Sequence, residues 1–219
     1  MNFFDPEGKL VSFVTKVGEL ILLNLIWLLT CIPIVTIVPA TTSFYYAVIK
    51  SIRRDRGTPI REYFKSFKRV LLKGIIIELI LGVWVIALLF GRNYFLMTGS
   101  NDGFNLLMFM YDFLIGFTAV YTLYLIPAFS RFEMSVFKLF KLNFVMVIRF
   151  IYLSIPLAIM VAASIYLMIR FIPWVLICLF PGFIVYVSTF LVEPALVKYT
   201  PAPTEDEDAW YLPESKKKK

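Results

Sequence analysis

Long uncharged apolar runs alternate along this chain with short segments that hold most of the Lys and Arg. The runs are Leu20–Ile49, Phe113–Ser130, Phe150–Ile169 and Phe171–Val192, with a weaker one, Gly74–Gly91, interrupted by Glu78. A bilayer core of about 30 Å takes about 20 helical residues. The pattern therefore predicts an all-α polytopic membrane helix bundle of about five transmembrane helices, near 18–38, 75–92, 105–127, 150–169 and 172–193. Hydrophobicity that is continuous rather than alternating excludes a membrane β-barrel. Pro156 and Pro181 are expected to kink spans four and five, while Pro173 falls near a helix start, where its missing N–H costs little.

The polar segments also read as helices. Thr58-Pro59 has the form of an N-cap and first helical position. After it Ile60, Tyr63, Phe64, Phe67, Val70 and Leu71 recur at three- and four-residue spacing, with Arg61, Glu62, Lys65, Ser66, Lys68 and Arg69 on the other face. That pattern predicts an amphipathic helix lying in the membrane interface on the cytoplasmic side. A second, more apolar one carries the stripe Arg131, Ser135, Lys138 and Lys141. Phe64-Lys65-Ser66-Phe67-Lys68 is echoed by Phe137-Lys138-Leu139-Phe140-Lys141, and Pro-Ala recurs at 39–40, 127–128 and 194–195. A duplicated hairpin would leave such a trace, and so would chance in a biased composition. Arg61, Phe64, Lys65, Phe67, Lys68, Lys138 and Lys141 are the candidates for contact with an anionic inner leaflet or a protein partner.

Charge gives the orientation. With five spans, one side collects nine basic residues from 40–74, four from 128–149 and five from Lys198 onward; the other holds Lys9, Lys16, Arg92 and Arg170. The positive-inside rule then places the N-terminus outside and the C-terminus in the cytoplasm of a multi-pass cell-membrane protein. A net charge of +7 could suit nucleic acid, but basic residues that flank apolar spans point to anionic lipid, and no nucleic-acid partner is expected. Residues 1–198 form one membrane domain. The tail 199–219, Pro-rich, then acidic, then ending in four lysines, is too polar to fold alone.

Catalytic chemistry finds little foothold. The chain has no histidine and two cysteines, which removes the commonest general base and a thiolate zinc site. No phosphate-binding Gly-Lys-Ser/Thr loop is present. No metal or cofactor is expected, and the protein reads as a non-enzyme. What remains is ionisable residues at membrane depth, where charge is costly. Glu19, Arg92, Asp112 and Arg170 form a candidate outer set, in which Asp112 is expected to pair with Arg92 or Arg170.

One segment has a recognisable composition. Leu23–Gly57, LNLIWLLTCIPIVTIVPATTSFYYAVIKSIRRDRG, places Asn24 and Trp27 in the first span and Pro33 and Thr36 near its end. Small residues around Thr42 then lead into Tyr45-Tyr46, and EYFKSFKRVLLKG follows at Glu62–Gly74. This resembles the YesL-like integral membrane proteins, domain of unknown function 624. The resemblance implies no known biochemical activity. It does imply a genomic association with carbohydrate ABC importers in Gram-positive bacteria, and so an accessory or regulatory component touching permease subunits. The segment lacks the Glu-Ala-Ala…Gly loop by which such permeases engage their ATPase, which favours a flanking role. The alternative is a stand-alone small-solute transporter or channel.

Overall fold

The computed structural model describes residues 9–98, 106–170 and 173–200; the tail expected beyond them lies outside the described residues. Every described element is helical: α1 (Lys9–Thr30), α2 (Ile37–Ala47), α3 (Pro59–Thr98), α4 (Leu106–Arg131), α5 (Val136–Arg149), α6 (Ile151–Arg170) and α7 (Pro173–Tyr199). A 3-10 turn at Ile34–Thr36 precedes α2, and a π-helical turn at Val48–Arg53 extends it. Of these, α3 and α4 are long and apolar enough to cross a membrane by length and composition. The chain runs through Pro127 in α4 and Pro156 in α6 without leaving the helix, and α7 opens at Pro173.

The expected first span, 18–38, is not one helix. Pro33 has no N–H to give, and its ring disfavours helical backbone at Ile32, so α1 stops at Thr30 and the chain reverses. Thr36 ties the reversal by donating its hydroxyl to the carbonyls of Thr30 and Pro33, each at 2.6 Å. Going back along α1, Trp27 donates its indole N–H to Thr41 at 3.1 Å, and Leu23 packs with Phe44, Ala47 and Val48. At the far end Lys16 sits 2.9 Å from Asp55. α1 and α2 are thus an antiparallel hairpin, and the start of α1 shares an end of the bundle with the basic turn at 54–58. The sequence reading had put those two on opposite sides.

That turn is sharp. Asp55 and Gly57 have φ of 53° and 76°, the left-handed region that Gly enters freely and Asp tolerates. Lys50 bridges it, 3.0 Å from Glu62 and 3.1 Å from the Tyr46 hydroxyl, with both charged side chains nearly buried. Burial opposes the Lys50 charge, but the hydrogen bonds to Tyr46 and Glu62 outweigh it and hold its pKa above the ordinary lysine value. A raised pKa means this stabilisation is complete below the unfolded lysine value and fades as pH rises through the folded one.

The second correction concerns α3. Its basic, amphipathic residues 59–74 do not form a separate helix in the interface plane; they continue without a break into the apolar half. The element is 40 residues long, about 60 Å at 1.5 Å per residue. A helix collinear with a membrane span stands away from the bilayer rather than lying on it. α2 fills the angle between this half and its neighbours, packing on α1, α3, α4 and α7. Nearly every side chain from Val38 to Ile52 is buried. α5 is the separate amphipathic helix, burying Leu139, Asn143, Met146 and Val147. The two FKxFK segments sit near the starts of unlike helices, one a 40-residue element and the other a short packed one. The Pro-Ala pairs at 39–40, 127–128 and 194–195 all lie inside helices.

Candidate functional site

Two helices bring opposite charges together in the interior, and a third adds a hydroxyl. Arg131, the last residue of α4, places a guanidinium nitrogen 2.7 Å from Glu193 Oε2 on α7, with their side chains 1 % and 4 % exposed. Tyr45 of α2, itself buried, points its hydroxyl at Glu193 Oε1, 3.5 Å away. Beside them the π-helical turn, with its Arg54 N–H to Ile49 carbonyl bond, carries Arg53 over to α7. There Arg53 donates to the Thr189 carbonyl at 2.9 Å and lies over the Phe190 ring, 4.2 Å from its centroid. Burial first, then the neighbouring Arg53 charge, lower the pKa of Arg54. The arrangement concentrates positive charge around one carboxylate, in a place with little access to water. It offers no nucleophile paired to a base, and among the described residues no three His, Cys, Asp or Glu gather as for a metal ion.

The expected outer set does not assemble as four. Arg92 and Asp112 meet, Nε to Oδ1 at 2.6 Å, near the far ends of α3 and α4, with their side chains 36 % and 54 % exposed. Glu19 lies half-buried on α1, less than one turn from Lys16 and so at the other end of the molecule. The Arg170 side chain lies outside the described residues. Exposed pairs contribute about 0.2–1 kcal/mol, so Asp112→Asn is expected to lower the melting temperature in detergent by at most a few degrees. A loss of folded protein on this substitution would show the pair to be far more buried than it stands.

The residues quoted for the family resemblance gather around the hairpin. Asn24 and Thr42 are fully buried, Trp27 and Thr36 make the bonds given above, and Pro33 sets the break. Tyr46 lies under Arg69, 5.1 Å from guanidinium to ring centroid, and Tyr45 reaches Glu193. Glu78 of α3 joins them from the sequence-read weak span: its Oε2 accepts from the Val38 N–H at 2.6 Å, occupying a donor at the positive end of α2. Among the candidate contact residues, Arg61, Phe64, Lys65, Lys68, Lys138 and Lys141 are exposed. Phe67 is half-buried, stacked on Tyr63 at 6.0 Å. Sequence reasoning missed the Arg131–Glu193 pair; its partners stand 62 residues apart, and only the unusual acid in the apolar α7 hinted at it.

Residues 20–92 match the model of a family described as "Protein of unknown function, DUF624". The match contains both stretches that carry the resemblance, which is thereby shown over this part of the chain. No curated protein and no solved structure matches it.

Proposed function

We propose, from the DUF624 match and the shape of α3, that this is a non-catalytic integral membrane protein acting as an accessory or regulatory component of a carbohydrate ABC import system. The observation that carries the reading is the unbroken α3. Its apolar half suits a bilayer, and its basic half stands outside, braced by the α1–α2 hairpin. Val38 meets Glu78, and about 20 residues of α3 follow, a rise of about 30 Å. That is one hydrocarbon thickness, so the tip of the hairpin enters the inner leaflet and turns back rather than crossing.

This reading differs from the N-terminus-outside topology that charge counting over five spans suggests. Lys16 beside Asp55, Arg69 beside Glu133 at 2.8 Å, and Tyr199 against Phe150 gather the start of α1, the 54–58 turn, the α4–α5 junction and the end of α7 at one end. We assign that end to the cytoplasm. Of the 22 basic residues, Arg92 and Arg170 alone then remain on the outer side, a stronger positive-inside bias than the five-span count gives. The spans become even in number, α3 and α4 being one pair and α6 and α7 a second hairpin that returns to its starting side.

Arg61, Phe64, Lys65 and Lys68 form one exposed stripe of the projecting half, and we assign permease contact to it. Mild-detergent affinity purification from the native host tests this. Permease subunits are expected to co-elute and to be lost from an Arg61→Glu/Lys65→Glu/Lys68→Glu variant that still folds. A clean monomer or homo-oligomer that moves solute in liposomes would instead establish a stand-alone transporter.

A further inference from the structure

On the opposite flank of α3 a groove of about 240 Å³ runs between α3, α4 and α5. Leu81 and Trp84 form one wall, Leu114, Phe117 and Thr118 the other, and Phe140 of α5 closes one end. Its polar atoms are turned inward and satisfied. Trp84 donates its indole N–H to Thr118 Oγ1 at 3.1 Å, and that hydroxyl donates to the Leu114 carbonyl at 2.7 Å. The lining therefore offers hydrocarbon, with no polar atom asking for a polar ligand.

α5 supplies the other half of a site. Tyr121 donates to the Phe140 carbonyl at 2.9 Å, and Asn143 donates to the Tyr121 carbonyl at 2.9 Å. Phe140 and Phe144 pack on Tyr121 and Phe117 of α4, which fixes α5 against the groove. Lys141, next to Phe140 in the chain, and Lys138, one turn before Lys141, are both exposed on α5, as are Phe137 and Phe144. α5 contains no acidic residue, and Glu133, just before it, is engaged by Arg69. An apolar groove at membrane depth, bordered by a helix whose Lys138 and Lys141 meet no acid among the described residues, is complementary to one kind of molecule.

We propose that this groove holds one acyl chain of an anionic phospholipid, whose headgroup phosphate rests on Lys138 and Lys141. Chain and headgroup contribute separately: the groove binds any acyl chain, and the lysines select negative charge. The site ties a specific lipid to the joint between the membrane pair α3–α4 and the cytoplasmic helices. It rests on the reading of α3 and α4 as bilayer-crossing, and the experiment separates the two.

Trp84 lies in the groove wall and serves as its own reporter. The full-length protein is placed in vesicles with acyl-brominated phosphatidylglycerol or acyl-brominated phosphatidylcholine, and Trp84 emission is taken as the difference between wild type and Trp84→Phe. Quenching by both lipids with a preference for phosphatidylglycerol is expected. Lys138→Gln and Lys141→Gln should each lower that preference about fivefold, while leaving quenching by phosphatidylcholine unchanged. Equal quenching by the two lipids, or a preference that survives the double lysine variant, overturns the lipid site alone. No quenching by either lipid overturns the membrane reading of α3 with it.

Discussion

Glu193→Gln is expected to lower the stability of the folded bundle by about 3–5 kcal/mol, because it removes the carboxylate 2.7 Å from the buried Arg131 guanidinium. For a chain of this size that is a drop of about 10 °C in melting temperature, readable by heating the detergent-solubilised protein and following its elution by size. Arg131→Gln should cost less, since Arg53 and Arg54 still lie beside the carboxylate. The double variant Arg131→Met/Glu193→Leu tests the cause. Desolvation of a lone charge predicts that it recovers most of what either single change loses. If the pair is worth its full attraction and nothing is due to stranding, the double variant will be no better than the singles. Tyr45→Phe removes the weaker 3.5 Å contact and is expected to cost about 1 kcal/mol or less.

Gly74→Val is expected to be the other severe substitution. A Cβ at Gly74 would come within 2.7 Å of Pro39 Cβ and 2.9 Å of its Cδ. The proline ring is fixed to its backbone and cannot swing aside, so α2 and α3 must move apart. Overpacking of this kind costs about 1–3 kcal/mol. Here it also lengthens the 2.6 Å bond between Val38 and Glu78. Gly82 is the matched control, because a Cβ there meets nothing within 4 Å. Gly82→Ala should be neutral or mildly stabilising, as the glycine penalty inside a helix is removed. Equal losses at both positions would show that the close approach of α2 does not set the cost, since helix propensity favours both changes. Small residues where helices meet closely are a general device in membrane bundles.

The helical character of the chain was legible from apolar periodicity and from the absence of alternation. So was the start of α3, because Thr58-Pro59 states it chemically. The reversal after α1 was hidden by hydropathy: Cys31, Ile32, Pro33, Ile34 and Val35 are all apolar or neutral, so the run reads as one span although the backbone breaks. Pro33 was the available signal, and a second proline at position 39, in the first turn of α2, agrees with it. The junction within α3 was hidden for the opposite reason. A change from amphipathic to apolar composition looks like a boundary, but no Pro or capping residue interrupts the backbone around Lys73, and the helix runs straight through Gly74. Pairings of distant residues lie beyond local pattern altogether. Lys16 with Asp55, and Arg131 with Glu193, depend on how helices pack, and a single sequence does not encode that in any spacing.

The hairpin and the shared end follow from those pairings, and labelling of single cysteines in intact cells tests them most directly. In a Cys31→Ser/Cys178→Ser background, cysteines replace Ser12, Thr58 and Asn93, three exposed positions. A membrane-impermeant maleimide should reach Asn93→Cys from outside, and reach Ser12→Cys and Thr58→Cys only after the membrane is opened. Labelling of Ser12→Cys from outside while Thr58→Cys stays protected would contradict the account, because α1 would then have to cross the bilayer alone.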